Sequence, residues 1–309
     1  MTARFVVAGE SLVDVVTPQQ GSTTREPGGS PLNVAVGLAR LDVPTLLITR
    51  IGDDADGRLV AEHARASGVV LDPGSVHPGL VTSTATALLD ADHAASYTFD
   101  LAWDLPPREL PDDAAGLHVG SLGALLPPGE ATVHDLVRQA EEAELFVSYD
   151  PNVRPAFVGD VGRCWGKVAA LSQRARLVKV SEDDLRLLHP DARLDDLAAS
   201  LLVGATELVV MTHGAGGATA YREGSKVEAP GSRVEVVDTV GAGDSFMAAL
   251  VAVLLEWEVA GPGPGRLQAL DEDRLRTLLI AAVRAAAATC ARRGADPPRR
   301  SELPLTWPA

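Results

Sequence analysis

Short apolar runs alternate with longer stretches of helical periodicity along this chain. Strand-like runs fall at residues 4–8, 45–48, 117–119, 145–150, 177–180, 208–212 and 234–237. Apolar positions recur with helical spacing at residues 31–41, 56–67, 131–143, 194–202, 244–257 and 271–292. This alternation predicts an α/β fold, a doubly wound and mainly parallel sheet with helices on both faces. The cluster Gly261-Pro262-Gly263-Pro264-Gly265 predicts a loop between the last two helices. One region departs from the pattern. Between Val81 and Phe99 the reading is strand, turn at Asp90-Ala91-Asp92-His93, strand, and residues 13–17 offer a further strand. A small sheet standing off the main body is expected, built from about residues 12–27 and 81–104 within a single domain of residues 1–309.

The 309 residues, 46% of them hydrophobic, are enough for one sizeable core. No apolar run approaches the roughly 20 residues of a membrane span, and no basic, then apolar, leader opens the sequence, so neither a membrane segment nor a signal peptide is expected. Cys164 and Cys290 stand far apart and outside any metal-ligand spacing, which suits two free thiols in a cytoplasmic protein. A formal net charge of −15 argues against a nucleic-acid partner. Any anionic nucleotide must then be held by local features.

The richest local feature is Val236-Val237-Asp238-Thr239-Val240-Gly241-Ala242-Gly243-Asp244-Ser245-Phe246, where a glycine turn opens a helix. Successive backbone N–H groups at Gly241, Ala242 and Gly243, at the positive end of a helix, form an anion site. Asp244 sits beside them. Taken alone, a carboxylate there serves equally as a helix cap or as a catalyst. Neither a dinucleotide fingerprint nor a P-loop is present. A second motif, Gly28-Gly29-Ser30-Pro31-Leu32-Asn33, combines paired glycines, an N-capping serine, a proline suited to the first helical turn and an amide able to meet a sugar hydroxyl. On its own it also reads as an ordinary capped core helix.

Together, in this order and at opposite ends of the chain, the two motifs resemble the signatures of the ribokinase/PfkB carbohydrate kinases. The segments around Gly52-Asp53-Asp54, Asp150-Pro151-Asn152-Val153-Arg154 and Thr212-His213-Gly214-Ala215-Gly216-Gly217 resemble the family's intermediate landmarks. The resemblance implies a ribokinase-like fold with a β-sheet lid, ATP and Mg²⁺ as reactant and cofactor, and Asp244 as general base beside a Gly241–Ala242–Gly243 anion hole. It implies sugar contacts from Asp14, Gly28, Gly29 and Asn33, with Arg154 reaching either the sugar or a phosphate, or lying in a solvated loop. Thr212, Gly214 and Gly217 match its nucleotide turn. Lys179 and Ser181 occupy its nucleotide segment, where Ser181 and Asp184 replace the usual asparagine and glutamate, and Asp184 would hold a metal-bound water. Asp238 and the backbone of Val240 match a monovalent-cation site, K⁺ in some members. Lid strands pair between subunits in the family, so a homodimer is expected.

Gly9-Glu10, Gly29-Ser30-Pro31 and Asp150-Pro151-Asn152-Val153-Arg154 resemble fructokinases most, and 2-keto-3-deoxygluconate kinases next. Fructose or a similar ketose, phosphorylated on a primary hydroxyl, is the expected substrate. Trp103, in Tyr97-Thr98-Phe99-Asp100-Leu101-Ala102-Trp103, departs from the fructokinase pattern, either lying over a sugar face or packing in a lid or dimer interface. A ribokinase or nucleoside kinase on the same fold is an alternative, disfavoured by an aromatic content of 4%. A sugar-binding protein without catalysis is the alternative of a different class.

Overall fold

The computed structural model describes residues 3–17, 22–89, 95–304 and 307. A nine-stranded sheet forms its centre, in the order Ser225–Pro230, Gly217–Arg222, Leu208–Thr212, Leu177–Ser181, Phe146–Asp150, Ala114–Gly120, Arg4–Ala8, Thr45–Ile48, Val70–Leu71. The strands run parallel except for the hairpin Gly217–Arg222/Ser225–Pro230 at one end, which is antiparallel. Side chains of successive residues point to opposite faces, so each strand feeds two cores. Phe5 and Val7 face helices Ser30–Arg40, Ala242–Glu256 and Glu272–Cys290. Val6, Ala8, Leu117 and Val119 face helices Glu130–Glu142, Val161–Ser172, Glu182–Leu188 and Leu194–Ser200. This is the doubly wound α/β layering that the alternation predicts.

Helix Ala242–Glu256 is apolar all round. Every residue from Asp244 to Leu254 is buried, because the helix lies between the sheet and its two neighbours. Fully burying a side chain such as Phe246 or Leu250 contributes about 1.5–3 kcal/mol. This helix is therefore a rigid mount for whatever sits at its first turn.

A separate four-stranded sheet, in the order Thr24–Gly28, Leu12–Thr17, Thr84–Leu89, Ala95–Asp100, stands beyond the carboxyl ends of the main strands. Leu12–Thr17 pairs antiparallel with Thr24–Gly28 and parallel with Thr84–Leu89. Thr84–Leu89 and Ala95–Asp100 form a hairpin. The turn expected at Asp90–His93 lies outside the described residues.

The strand expected at residues 234–237 is not formed. Val236 and Val237 are 60% and 62% exposed, and the segment joins no ladder. Its backbone is held where the N–H groups of Val237 and Asp238 donate to the carbonyl of Cys290. β-Branched residues favour a pleated, half-buried surface, and no strand edge is beside them to supply one. The hairpin Gly217–Pro230 and helix Val161–Ser172 add to the elements expected from periodicity.

Candidate active site

In a parallel sheet, functional groups gather past the carboxyl ends of the strands. Gly9 and Glu10 follow the first strand, while Gly120, Asp150, Ser181 and Thr212 end others. Register aligns Gly120 with Asp150, and Ser181 with Thr212.

Asp244 lies in the first turn of helix Ala242–Glu256, 6% exposed, after Gly241 in the left-handed region at φ 75°. Two donors from the start of helix Ser30–Arg40 hold its carboxylate. Ser30 Oγ donates to Oδ1 at 2.6 Å, and Asn33 Nδ2 donates to Oδ2 at 2.8 Å. Asn33 Oδ1 is buried and has no partner among the described residues, so it is free to accept from a ligand hydroxyl. The first turn of helix Ala242–Glu256 also leaves backbone N–H groups without helical partners. That of Ala242 is partly engaged, donating to Thr239 O at 3.3 Å.

The small sheet brings Asp14 to this cleft. Its carboxylate fills the space beside Gly28, where a Cβ would stand 2.1 Å from Oδ2, so a side chain there would push Asp14 aside. Gly29, at φ 104°, caps the helix that carries Ser30 and Asn33. Burial pushes the Asp14 carboxyl up to about 6, Glu26 and Asp244 add to the rise, and Arg154 opposes it. Arg154 is exposed and also lies within electrostatic reach of Glu10. Glu10 is buried, accepts from the Gly123 N–H at 2.7 Å, and is pushed up to about 7 by burial. The motif reading names it as a fructokinase-like feature but gives it no role in the site. Its position immediately after the first strand was the available signal.

Lys179 is buried and paired with Asp150, Nζ to Oδ2 at 2.9 Å. Burial works against its charge, but Asp150, Asp184 and Asp244 together hold the amine above its ordinary value. Burial pushes Asp150 up to about 6, with Asp184 and Asp244 adding to the rise and Lys179 opposing it. Lys179 Nζ stands 3.1 Å from where a Cβ on Gly243 would be, so the ammonium lies against the glycine turn. A cation at a helix N-terminus is electrostatically unfavourable unless an anion joins it.

Asp184 has a structural job beside the one expected of it. Its Oδ1 accepts from the Val153 N–H at 2.7 Å, and its Oδ2 accepts from the N–H and hydroxyl of Ser181 at 2.9 and 2.7 Å. Asp184 and Ser181 thus close a capping box on helix Glu182–Leu188 and tie it to the turn leading to Arg154. These bonds fill three of the roughly four acceptor positions of the carboxylate and leave one on Oδ1. Among the described residues no three acidic, histidine or cysteine side chains converge as a metal site.

Thr212, Gly214 and Gly217 lie on the turn between strands Leu208–Thr212 and Gly217–Arg222. The ring of His213 braces that turn, Nδ1 lying 3.1 Å from Glu182 Oε2 and Nε2 lying 2.8 Å from Thr219 Oγ1. Asp238 accepts from the N–H groups of Val240 at 3.1 Å and Gly294 at 2.9 Å, joining the approach to the glycine turn with the loop after the last helix. Trp103 is not in the cleft. It is buried in the core beneath Glu130–Glu142, and its Nε1 donates to Gly123 O at 3.0 Å, so the reading over a sugar face is replaced by core packing.

Comparison with known proteins gives a consistent picture. The model of the pfkB family of carbohydrate kinases matches residues 2–302. A fructokinase of Rhizobium leguminosarum bv. trifolii is 34% identical over 262 residues, spanning 81% of this chain and 79% of that protein. A fructokinase of Klebsiella pneumoniae is 32% identical, spanning 88% of this chain and 90% of that one. Among solved structures, an engineered double mutant of a Vibrio cholerae O395 fructokinase, in a form with fructose, ADP and potassium ion bound, matches with a TM-score of 0.78 at 25% identity, over 95% of this chain and 94% of that one.

Proposed function

Because the chain belongs to the pfkB family of carbohydrate kinases, we propose that it moves the γ-phosphoryl group of ATP onto a primary hydroxyl of a ketose, fructose foremost. The observation that carries the reading is the placement of Asp244. A buried carboxylate, oriented by Ser30 and Asn33, stands at the glycine turn of a rigid helix with Asp14 across the cleft.

Each residue has work that its chemistry suits. Asp14 and Asn33 Oδ1 accept hydrogen bonds from sugar hydroxyls, and Arg154 lies beside Asp14 at the rim. Asp244 accepts the proton of the attacking hydroxyl as its oxygen bonds to the γ-phosphorus and the bond to the β-phosphate oxygen breaks. The first-turn N–H groups from Gly241 to Gly243, with Lys179 beside them, hold charge on the moving phosphoryl group. Thr212, Gly214, Gly217 and Ser181 border the nucleotide. Mg²⁺ supplies charge neutralisation on the phosphate oxygens, held mostly through water, as its reluctance to dehydrate favours. Asp238 and Val240, tied to Gly294, are the proposed edge of a K⁺ site. The small sheet acts as a lid that keeps water from the phosphoryl group. Its Phe99 stacks edge-on against Phe157 of the main body, with ring centroids 5.0 Å apart. Its edge strands, Thr24–Gly28 and Ala95–Asp100, are the surfaces offered for a homodimer.

The test is ADP release from Mg-ATP and K⁺ with fructose, ribose, 2-keto-3-deoxygluconate, tagatose and adenosine, beside Asp244→Ala. Turnover on fructose, falling on the order of a hundredfold or more in the variant, is the expected result. Turnover that survives in the variant removes Asp244 as the base. Tight sugar binding without turnover on any of the five turns the assignment toward a binding protein.

A further inference from the structure

We propose that Ser30 is a positioning residue for the phosphoryl transfer, acting through Asp244; this rests on the kinase reading above. Ser30 is 4% exposed, and its hydroxyl donates to Asp244 Oδ1 at 2.6 Å, a distance typical of a bond to an ionised oxygen. Ser30 is the first residue of its helix, and Gly29, which precedes it, makes no side-chain capping bond. The hydroxyl that the sequence offers as a helix cap is instead spent on another helix.

Asp244 needs this second donor because of where it sits. Asp14 and Asp150 both lie within electrostatic reach of its carboxylate, and each is raised by it. Lys179, the buried cation nearby, is already paired with Asp150. Besides that shared ammonium, which Asp244 also helps to hold charged, the carboxylate is met by hydrogen bonds, one on each oxygen. Asn33 alone would leave the carboxylate free to turn about its Cβ–Cγ bond. Ser30 fixes the second oxygen and hence the plane of the base. A carboxylate turned out of that plane is ionised and present but misdirected, which lowers the rate of the proton-transfer step and leaves sugar and nucleotide binding intact.

The experiment measures kcat and KM, with melting temperature as a folding check, for Ser30→Ala, Ser30→Thr, Asp244→Ala and the Ser30→Ala/Asp244→Ala pair. Losing a hydrogen bond to a charged group predicts a roughly tenfold to hundredfold fall in kcat for Ser30→Ala. Both KM values should stay within about twofold, as for an interaction that acts on the chemical step. Ser30→Thr, which retains the hydroxyl, should recover most of the rate. In the Asp244→Ala background the Ser30 change should have no further effect, because its partner is gone. An unchanged kcat in a folded Ser30→Ala, or an equal loss in both backgrounds, overturns the proposal. If instead Asp244→Ala alone keeps the wild-type rate, it is the kinase assignment of the base that fails, and the two failures are told apart.

Discussion

Adding one methyl group at Gly37 tests whether helix spacing sets the geometry of Asp244, the proposed base. Gly37 lies one turn after Asn33, on the same face of helix Ser30–Arg40. A Cβ built on it would stand 2.7 Å from the Cβ of Ala248, in the helix that carries Asp244. Carbon atoms pack at about 3.5–4.0 Å, so Gly37→Ala must part the two helices by roughly 1 Å. The bonds from Ser30 and Asn33 to Asp244, now 2.6 and 2.8 Å, would lengthen past the range of a hydrogen bond. Overpacking of this kind costs about 1–3 kcal/mol of stability, and a 1 Å misplacement of reacting groups costs on the order of a hundredfold in rate. The assay is kcat for ADP release at saturating fructose and ATP, with melting temperature measured alongside. Ala248→Gly in the same chain restores the gap, and should return most of the rate despite a helix-propensity penalty of about 1 kcal/mol. A Gly37→Ala variant with wild-type kcat would refute the argument that this close approach holds the base in place.

Two further outcomes follow from the buried charges. Burial lifts Glu10 from 4.5 to about 7, so the native state holds a proton that the unfolded chain has released between those pH values. Its contribution to stability therefore falls as pH rises through that window, by on the order of 3 kcal/mol in all. Glu10→Gln should melt close to wild type near pH 4 and increasingly above it toward pH 8; a difference that stays flat with pH would exclude Glu10 as the source. Lys179→Gln removes the cation beside the glycine turn and should raise KM for ATP about tenfold or more, leaving KM for fructose unchanged; an unchanged KM for ATP separates Lys179 from the nucleotide.

Much of the fold was legible because strand and helix periods differ, and helices such as Glu272–Cys290 and Glu130–Glu142 show theirs over several turns. What failed were segments where local signal and tertiary setting disagree. The valines at 234, 236 and 237 have strand propensity but no neighbouring edge. Helix Val161–Ser172 carries Gly162 and Gly166, which mask its period. The hairpin after Gly217 turns at Glu223-Gly224, with Gly224 at φ 71°, a turn signal passed over beside the stronger motif upstream. In the site, residues next to one another in sequence were readable and pairings across it were not. Ser30 and Asp244 are 214 positions apart, and nothing local announces that a serine at one helix start will meet a carboxylate at another. The same limit hid the engagement of Asp184 with Val153.

The small sheet shares none of its strand pairs with the large one, yet it carries Asp14, while Asp244 and the glycine turn ride on the central helix. In the proposed reading, one sugar contact, Asp14, therefore sits on a separately paired piece of chain from the base, while Asn33 on the main body touches both. Under that reading, changes in the strands around Asp14 are expected to alter which sugar is accepted while the phosphate-handling end stays intact. Exchanging these strands between relatives, with the anchoring glycines kept, is accordingly the natural place to begin altering this enzyme's substrate.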